Sequence, residues 1–114
     1  MQLPDVKFRD TTDLYISVAM AFSDLNGGEF NGKMPDVYSP TNVCDKYIHE
    51  HLAVDRQLKY KYDERPKVRE FIRDHMSCKM IIRTFAHCVY YDGFDYYSYY
   101  NIDDMPVLSV WFLR

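Results

Sequence analysis

Residues 80–114 read MIIRTFAHCVYYDGFDYYSYYNIDDMPVLSVWFLR, and the way this stretch turns decides the fold. Asp92-Gly93 is a strong hairpin signal, because both residues tolerate the positive φ that a two-residue turn imposes. Asp103-Asp104-Met105-Pro106 supplies a second turn by its breaker chemistry. Three antiparallel strands in a meander are therefore expected between Met80 and Arg114. Closure at Asp92-Gly93 pairs Tyr91 with Phe94, Val89 with Tyr96, His87 with Ser98 and Phe85 with Tyr100 on one face, and leaves Cys88, Tyr90, Tyr97 and Tyr99 on the other. Rings occupy both faces. Either helices cover one face and a partner the other, or tyrosine hydroxyls border water.

Upstream of the meander, Gln57 to Tyr62 alternates Leu58, Tyr60 and Tyr62 against Lys59 and Lys61, as a half-buried strand requires. Asp63 to Pro66 then opens a third helix whose apolar face is Val68, Phe71, Ile72, His75 and Met76. Ser39-Pro40 caps a second, carrying Val43, Cys44, Tyr47, Ile48 and His51 on one side. The first helix starts at Asp10 or Thr11, buries Leu14, Val18, Phe22 and Leu25, and stops at Asn26-Gly27-Gly28. Val6 and Phe8 predict a strand before it, and the loop from Glu29 to Tyr38 is expected to be mobile. The fold class is α+β: one domain over 1–114, with three helices packed on a mainly antiparallel sheet that ends in a three-stranded meander.

With 114 residues and 47% hydrophobic content the chain can support one core without staples. Ten of the nineteen aromatic residues lie between Phe85 and Phe112, which places the main apolar payload near the C-terminus. Three cysteines without paired spacing and the absence of a basic-then-apolar leader predict free thiols and a cytoplasmic setting, the host cytoplasm if the source is viral. No apolar run approaches the ~20 residues that cross a bilayer, so no membrane role is expected.

Charge is polarised about a net of −3: Arg56 to Arg83 holds nine Lys/Arg against four Asp/Glu, while Asp92 to Asp104 holds four Asp and no base. Such a balance argues against a dedicated DNA-backbone binder. For zinc, only His75-x-x-Cys78 has workable ligand spacing, and it lacks two further ligands; buried thiols and helix-face histidines explain the remainder, so no metal and no cofactor are expected. There is no G-x-S-x-G elbow, Gly27-Gly28 follows a helix instead of opening one, and Asp103-Asp104 is explained by turn chemistry. No catalytic residues are assigned.

Two surfaces remain as candidates. Tyr90, Tyr91, Asp92, Phe94, Asp95 and Tyr97, with Asp103 and Asp104, join rings to acids in the mixture that protein interfaces favour. Arg65, Arg69 and Arg73 recur every four residues and, with Lys59 and Lys61, form a basic ridge suited to phosphates or an acidic protein surface. The tail from Tyr99 to Arg114 resembles the closing strands of RelE/ParE-type toxins, in which a hairpin with an acidic turn ends in an apolar strand. The resemblance implies RNA cleavage at the ribosome or gyrase inhibition, although the extra helix before the meander departs from that family's element order.

The first expectation is a small inhibitor or adaptor of the kind that phages and other mobile elements encode, a non-enzyme acting through the acidic tyrosine-rich hairpin on the basic surface of a host protein. Tyr91 and Phe94 would be its anchors. The alternative is an RNA-binding or RNA-cleaving domain using the arginine ridge with Tyr60, Tyr62 or His75. Self-association of the ridge with the hairpin of a second copy would give a homo-oligomer.

Overall fold

The computed structural model describes residues 10–34, 41–85, 87–98 and 100–114. The expected strand at Val6 and Phe8, the Ser39-Pro40 cap, Tyr99 and residues 35–38 of the Glu29–Tyr38 loop lie outside them. The described residues form, in order, α1 (Asp10–Asn26), α2 (Thr41–His51), β1 (Val54–Lys59), a 3-10 turn (Tyr62–Glu64), α3 (Val68–Asp74), β2 (Met80–Thr84), β3 (Cys88–Tyr91), β4 (Tyr96–Tyr97) and β5 (Val107–Leu113). The chain is α+β as expected.

Helix α1 ends where glycine permits it to. Gly27 takes φ +71° and donates its N–H to Ser23 O at 2.9 Å, closing the last turn. Its buried surface is broader than the expected stripe, since Ile16, Ser17, Met20 and Ala21 join Leu14 and Val18 in burial while Phe22 and Leu25 are only partly covered. A helix wedged between a sheet and a second helix needs two apolar flanks, and α1 packs against β2, β3 and α2.

All strand pairings are antiparallel and the spatial order is β1-β5-β2-β3-β4. The expected meander is thus corrected. Strands β2, β3 and β4 follow one another, but β5 returns to the far side of β2 and pairs there with both β2 and β1. The physical reason is burial: Ser109, Val110, Trp111 and Phe112 are all buried, and an edge position would have exposed several of them. Asp103-Asp104-Met105-Pro106 therefore does not close a hairpin. It carries the chain across one face of the sheet, burying Ile102 fully, while Val68 N–H donates to Met105 O and Arg69 N–H to Asp103 O, both at 3.0 Å. These bonds satisfy two amides that the start of α3 would otherwise leave without partners.

Two element boundaries also differ from expectation. The first described strand is Val54–Lys59 and not Gln57–Tyr62, because its pairing with β5 begins at Val54↔Leu113; Tyr62, in the 3-10 turn, is 87% exposed. Helix α3 opens only at Val68, since Pro66 O is held by Val107 N–H at 2.8 Å and Lys67 N–H is capped by Glu70 Oε1 at 3.1 Å. Met76 lies beyond the helix and is exposed rather than part of its apolar face.

Each face of the sheet has its own core. Ile81, Cys88, Tyr90 and Trp111 point to α1 and α2; Met80, Ile82, Val89, Tyr91, Val110 and Phe112 point to α3 and the crossing segment. The expected division of the β3 side chains between faces holds. Among the described residues, α1 and α2 pack on the first face and α3 with the crossing segment on the second. Trp111 fixes one layer by donating Nε1–H to Asp45 Oδ1 at 2.9 Å.

Covering both faces has a direct test: Ile81→Ala and Ile82→Ala, adjacent but on opposite faces, should each cost roughly 2–5 kcal/mol in denaturant unfolding. A cost below about 1 kcal/mol for either would mean that its face is open. The thiols give a second. Cys44 and Cys88 are buried and Cys78 is half-buried, all as thiols, and burial, aided by nearby Cys44 and Asp13, pushes the Cys88 thiol well above its usual range. A disulfide reagent should modify one thiol of the native protein quickly, and Cys78→Ser should abolish that phase. Fast reaction of all three would contradict the packing.

Candidate interaction surface

Asp92 organises the β3–β4 turn. Its Oδ1 accepts N–H groups from Phe94 at 2.9 Å and Asp95 at 3.0 Å, its own N–H donates to Asp95 O at 3.1 Å, and its Oδ2 accepts the Tyr97 hydroxyl at 3.0 Å. A carboxylate can reach forward to both amides only from the first position of a turn. The central pair is consequently Gly93-Phe94 and not Asp92-Gly93, with Gly93 at φ +99°, the residue type a type II′ turn demands at its first central position. Strand register follows: Tyr91 faces Tyr96 and Tyr90 faces Tyr97, two places from the expected pairing. A shift of two preserves the faces.

Phe94 at this turn is 93% exposed. The turn sits against the chain leaving α3, because a Cβ on Gly93 would come to 3.6 Å from Ser77 O, and the Tyr91 hydroxyl donates to Met76 O at 2.7 Å. Met76, 63% exposed, therefore lies at the same end of the molecule as Phe94.

Tyr90 and Tyr91 are buried, which corrects their expected place on the contact surface: β3 is an interior strand whose rings enter the two cores. The Tyr90 hydroxyl donates to Asp24 Oδ2 at 2.6 Å, where Lys79 Nζ also arrives at 3.0 Å. The Tyr90 hydrogen bond, opposed by partial burial and supported by Lys79, holds Asp24 below the usual carboxylate range. Tyr96 donates to Asp103 Oδ1 at 2.7 Å, and burial together with that bond pushes its hydroxyl up to about 12. Asp104 meets Arg69 Nη1 at 3.1 Å and Lys67 Nζ at 4.0 Å. Of the four hairpin and tail acids, Asp95 is the exposed one whose carboxylate, among the described residues, makes only a local bond, from Tyr96 N–H at 2.9 Å.

The arginines of the expected basic ridge each have a local contact. Arg65 precedes α3 and lies 5.3 Å over the Tyr62 ring, Arg69 is paired with Asp104, and Arg73 sits 3.7 Å from Asp74. Lys59 ends β1 and Lys61 precedes the 3-10 turn, both exposed. Two of the three rings expected to stack on bases are engaged internally: Tyr60 packs edge-on to Phe71, and the His75 ring stacks on Phe71 with centroids 4.1 Å apart. His75 also donates Nδ1–H to Phe71 O at 2.9 Å, and among the described residues no group of three or more His, Cys, Asp or Glu is placed to hold a metal ion. The tail no longer supports the RelE/ParE resemblance as a terminal hairpin, because β5 leaves its acidic turn for the interior of the sheet, between β1 and β2.

One constellation had no sequence signal. Asp13, only 2% exposed, accepts Nδ1–H from His87 at 2.9 Å, and Tyr100 stacks on the His87 ring at 4.7 Å. It ties α1 to the β2–β3 connection across 74 positions of sequence, a separation that no spacing rule reads. No family model, no curated protein and no solved structure matches this chain.

Although burial alone would raise it, the Asp95 and Phe94 amides, the Tyr97 hydroxyl and the Lys79 charge together hold the Asp92 carboxyl below its ordinary 3.8. A depressed folded-state value stabilises above the unfolded value and is lost as pH falls through the folded one. The Phe94 and Asp95 amides should therefore stay protected near pH 5 and lose protection below about 3.8 in hydrogen exchange. Asp92→Asn should flatten that acid limb; an identical limb in the variant would remove Asp92 as the organiser.

Proposed function

We propose that this protein is a non-catalytic binding module, an adaptor or inhibitor, that docks a protein partner through the β3–β4 turn with Phe94 as its apolar anchor. The observation that carries this reading is the 93% exposure of Phe94 on a turn locked by hydrogen bonds of its own. Transferring a phenylalanine ring from water to an apolar pocket is worth roughly 1.5–3 kcal/mol. A turn already held in one shape loses little entropy on docking, so more of that energy appears as affinity. Met76 extends the apolar area at the same end, and Asp95 beside the ring favours a pocket with a basic rim. The acids Asp103 and Asp104 contribute less to such a partner, since this chain already pairs them.

The test uses a partner captured by the wild-type protein and then purified. Phe94→Ala should weaken its binding by about 2 kcal/mol, roughly 30-fold, with little change in melting temperature. Tyr91→Ala should do the opposite in the free protein, lowering stability through core loss. Wild-type affinity in the Phe94 variant would sink the reading.

A further inference from the structure

An open groove of about 420 Å³ lies at the same end of the molecule, walled by Asp55 and Arg56 at the start of β1, Ser77, Cys78 and Lys79 between α3 and β2, and Phe112 on β5. Its shape depends on an irregularity of register. Val54 faces Leu113, but Arg56 faces Phe112, so Asp55 is an extra residue bulged from β1. In an unbroken ladder Arg56 would face Trp111 on the α2 side. The bulge moves it to the α3 side, where its guanidinium lies 4.3 Å over the Phe112 ring.

The charges around the groove are unevenly spent. Asp55 is drawn to Arg114 Nε at 3.6 Å, and Lys79 Nζ shares Asp24 at 3.0 Å. Arg56 makes no ion pair among the described residues, and its contact with the Phe112 ring does not use its five donors. An arginine over an aromatic ring, beside a second cation and in a recess, matches the geometry of bidentate oxyanion recognition.

We propose that this groove is an oxyanion site, with Arg56 as the main ligand and Lys79 as the supporting cation, taking a carboxylate or phosphate group. The site is independent of the Phe94 contact and stands on Arg56. Amide NMR shifts of Ser77, Cys78 and Lys79 are to be followed while the protein is titrated with inorganic phosphate and, separately, with acetate, against sodium chloride at matched ionic strength. Saturable shifts are expected with a dissociation constant of roughly millimolar order, and the tighter of the two anions assigns the ligand class. Arg56→Gln should weaken the response at least about tenfold, Arg56→Lys should weaken it less, and Arg73→Gln, an exposed arginine elsewhere, should leave it unchanged. Phe94→Ala should also leave it unchanged, which separates this site from the docking contact. Linear shifts no larger than those with chloride, or an equal response in the Arg56→Gln protein, would overturn the assignment.

Discussion

The interior seat of β5, between β1 and β2, is the constraint on which the rest of the molecule depends. The strand is hydrogen-bonded on both sides, to β1 and β2, and covered on both faces, so a run of four side chains from Ser109 to Phe112 is buried. To reach that seat from the β4 edge, the chain must cross one face of the sheet. The crossing buries Ile102 and accepts the first amides of α3, which places that short helix over the face and delivers its end beside the β3–β4 turn. A bulge near Leu108, where the register changes between Arg83↔Ser109 and Thr84↔Val107, lets β5 switch the face of its first residue and keep Val107 in the α3-side core.

The abundance of tyrosine over phenylalanine in the hairpin has a structural cause. Each of four rings fills space in or beside the core while its hydroxyl reaches an acceptor: Tyr90 to Asp24, Tyr91 to Met76 O, Tyr96 to Asp103 and Tyr97 to Asp92. A satisfied hydroxyl contributes only about 1 kcal/mol net, but an orphaned one at the same depth costs ~1–3 kcal/mol, so ring and acceptor come as pairs. This is why the acids cluster among the rings. Asp92 and Asp103 act as acceptors within the fold, and Asp104 neutralises Arg69; charge that reads in sequence as a long-range acidic patch is largely consumed locally.

Local chemistry was legible from the residues alone, and pairing between distant segments was not. The end of α1 at Asn26-Gly27, the buried face of α2 at Cys44, Tyr47 and Ile48, and the alternation of β3 between faces all depend on neighbours within one or two turns of chain. Strand order depends on loop closure over tens of residues, for which Asp103-Asp104-Met105-Pro106 offers only a generic breaker signal. The turn at Asp92 was misplaced by one residue because a side-chain acceptor at the first position competes with the backbone rule for Asp-Gly, and the carboxylate wins by collecting two amides. Of the two expected anchors, Phe94 is exposed at the turn, whereas Tyr91, next to the turn but on a covered strand, lies inside the core.

The connections between strands gather at the two ends of the sheet. At the end bearing the β2–β3 connection, Tyr100 lies on His87 and His87 is held by Asp13, so the rings there close over a buried polar pair. At the opposite end Asp92 and Gly93 are explained by the turn they build: one supplies the acceptor, the other the positive φ. Phe94 is different. The second central position of such a turn accepts almost any residue, and an apolar ring left 93% in water gains nothing from this chain's own core. Fold stability therefore accounts for the two residues before it and does not account for the Phe94 ring.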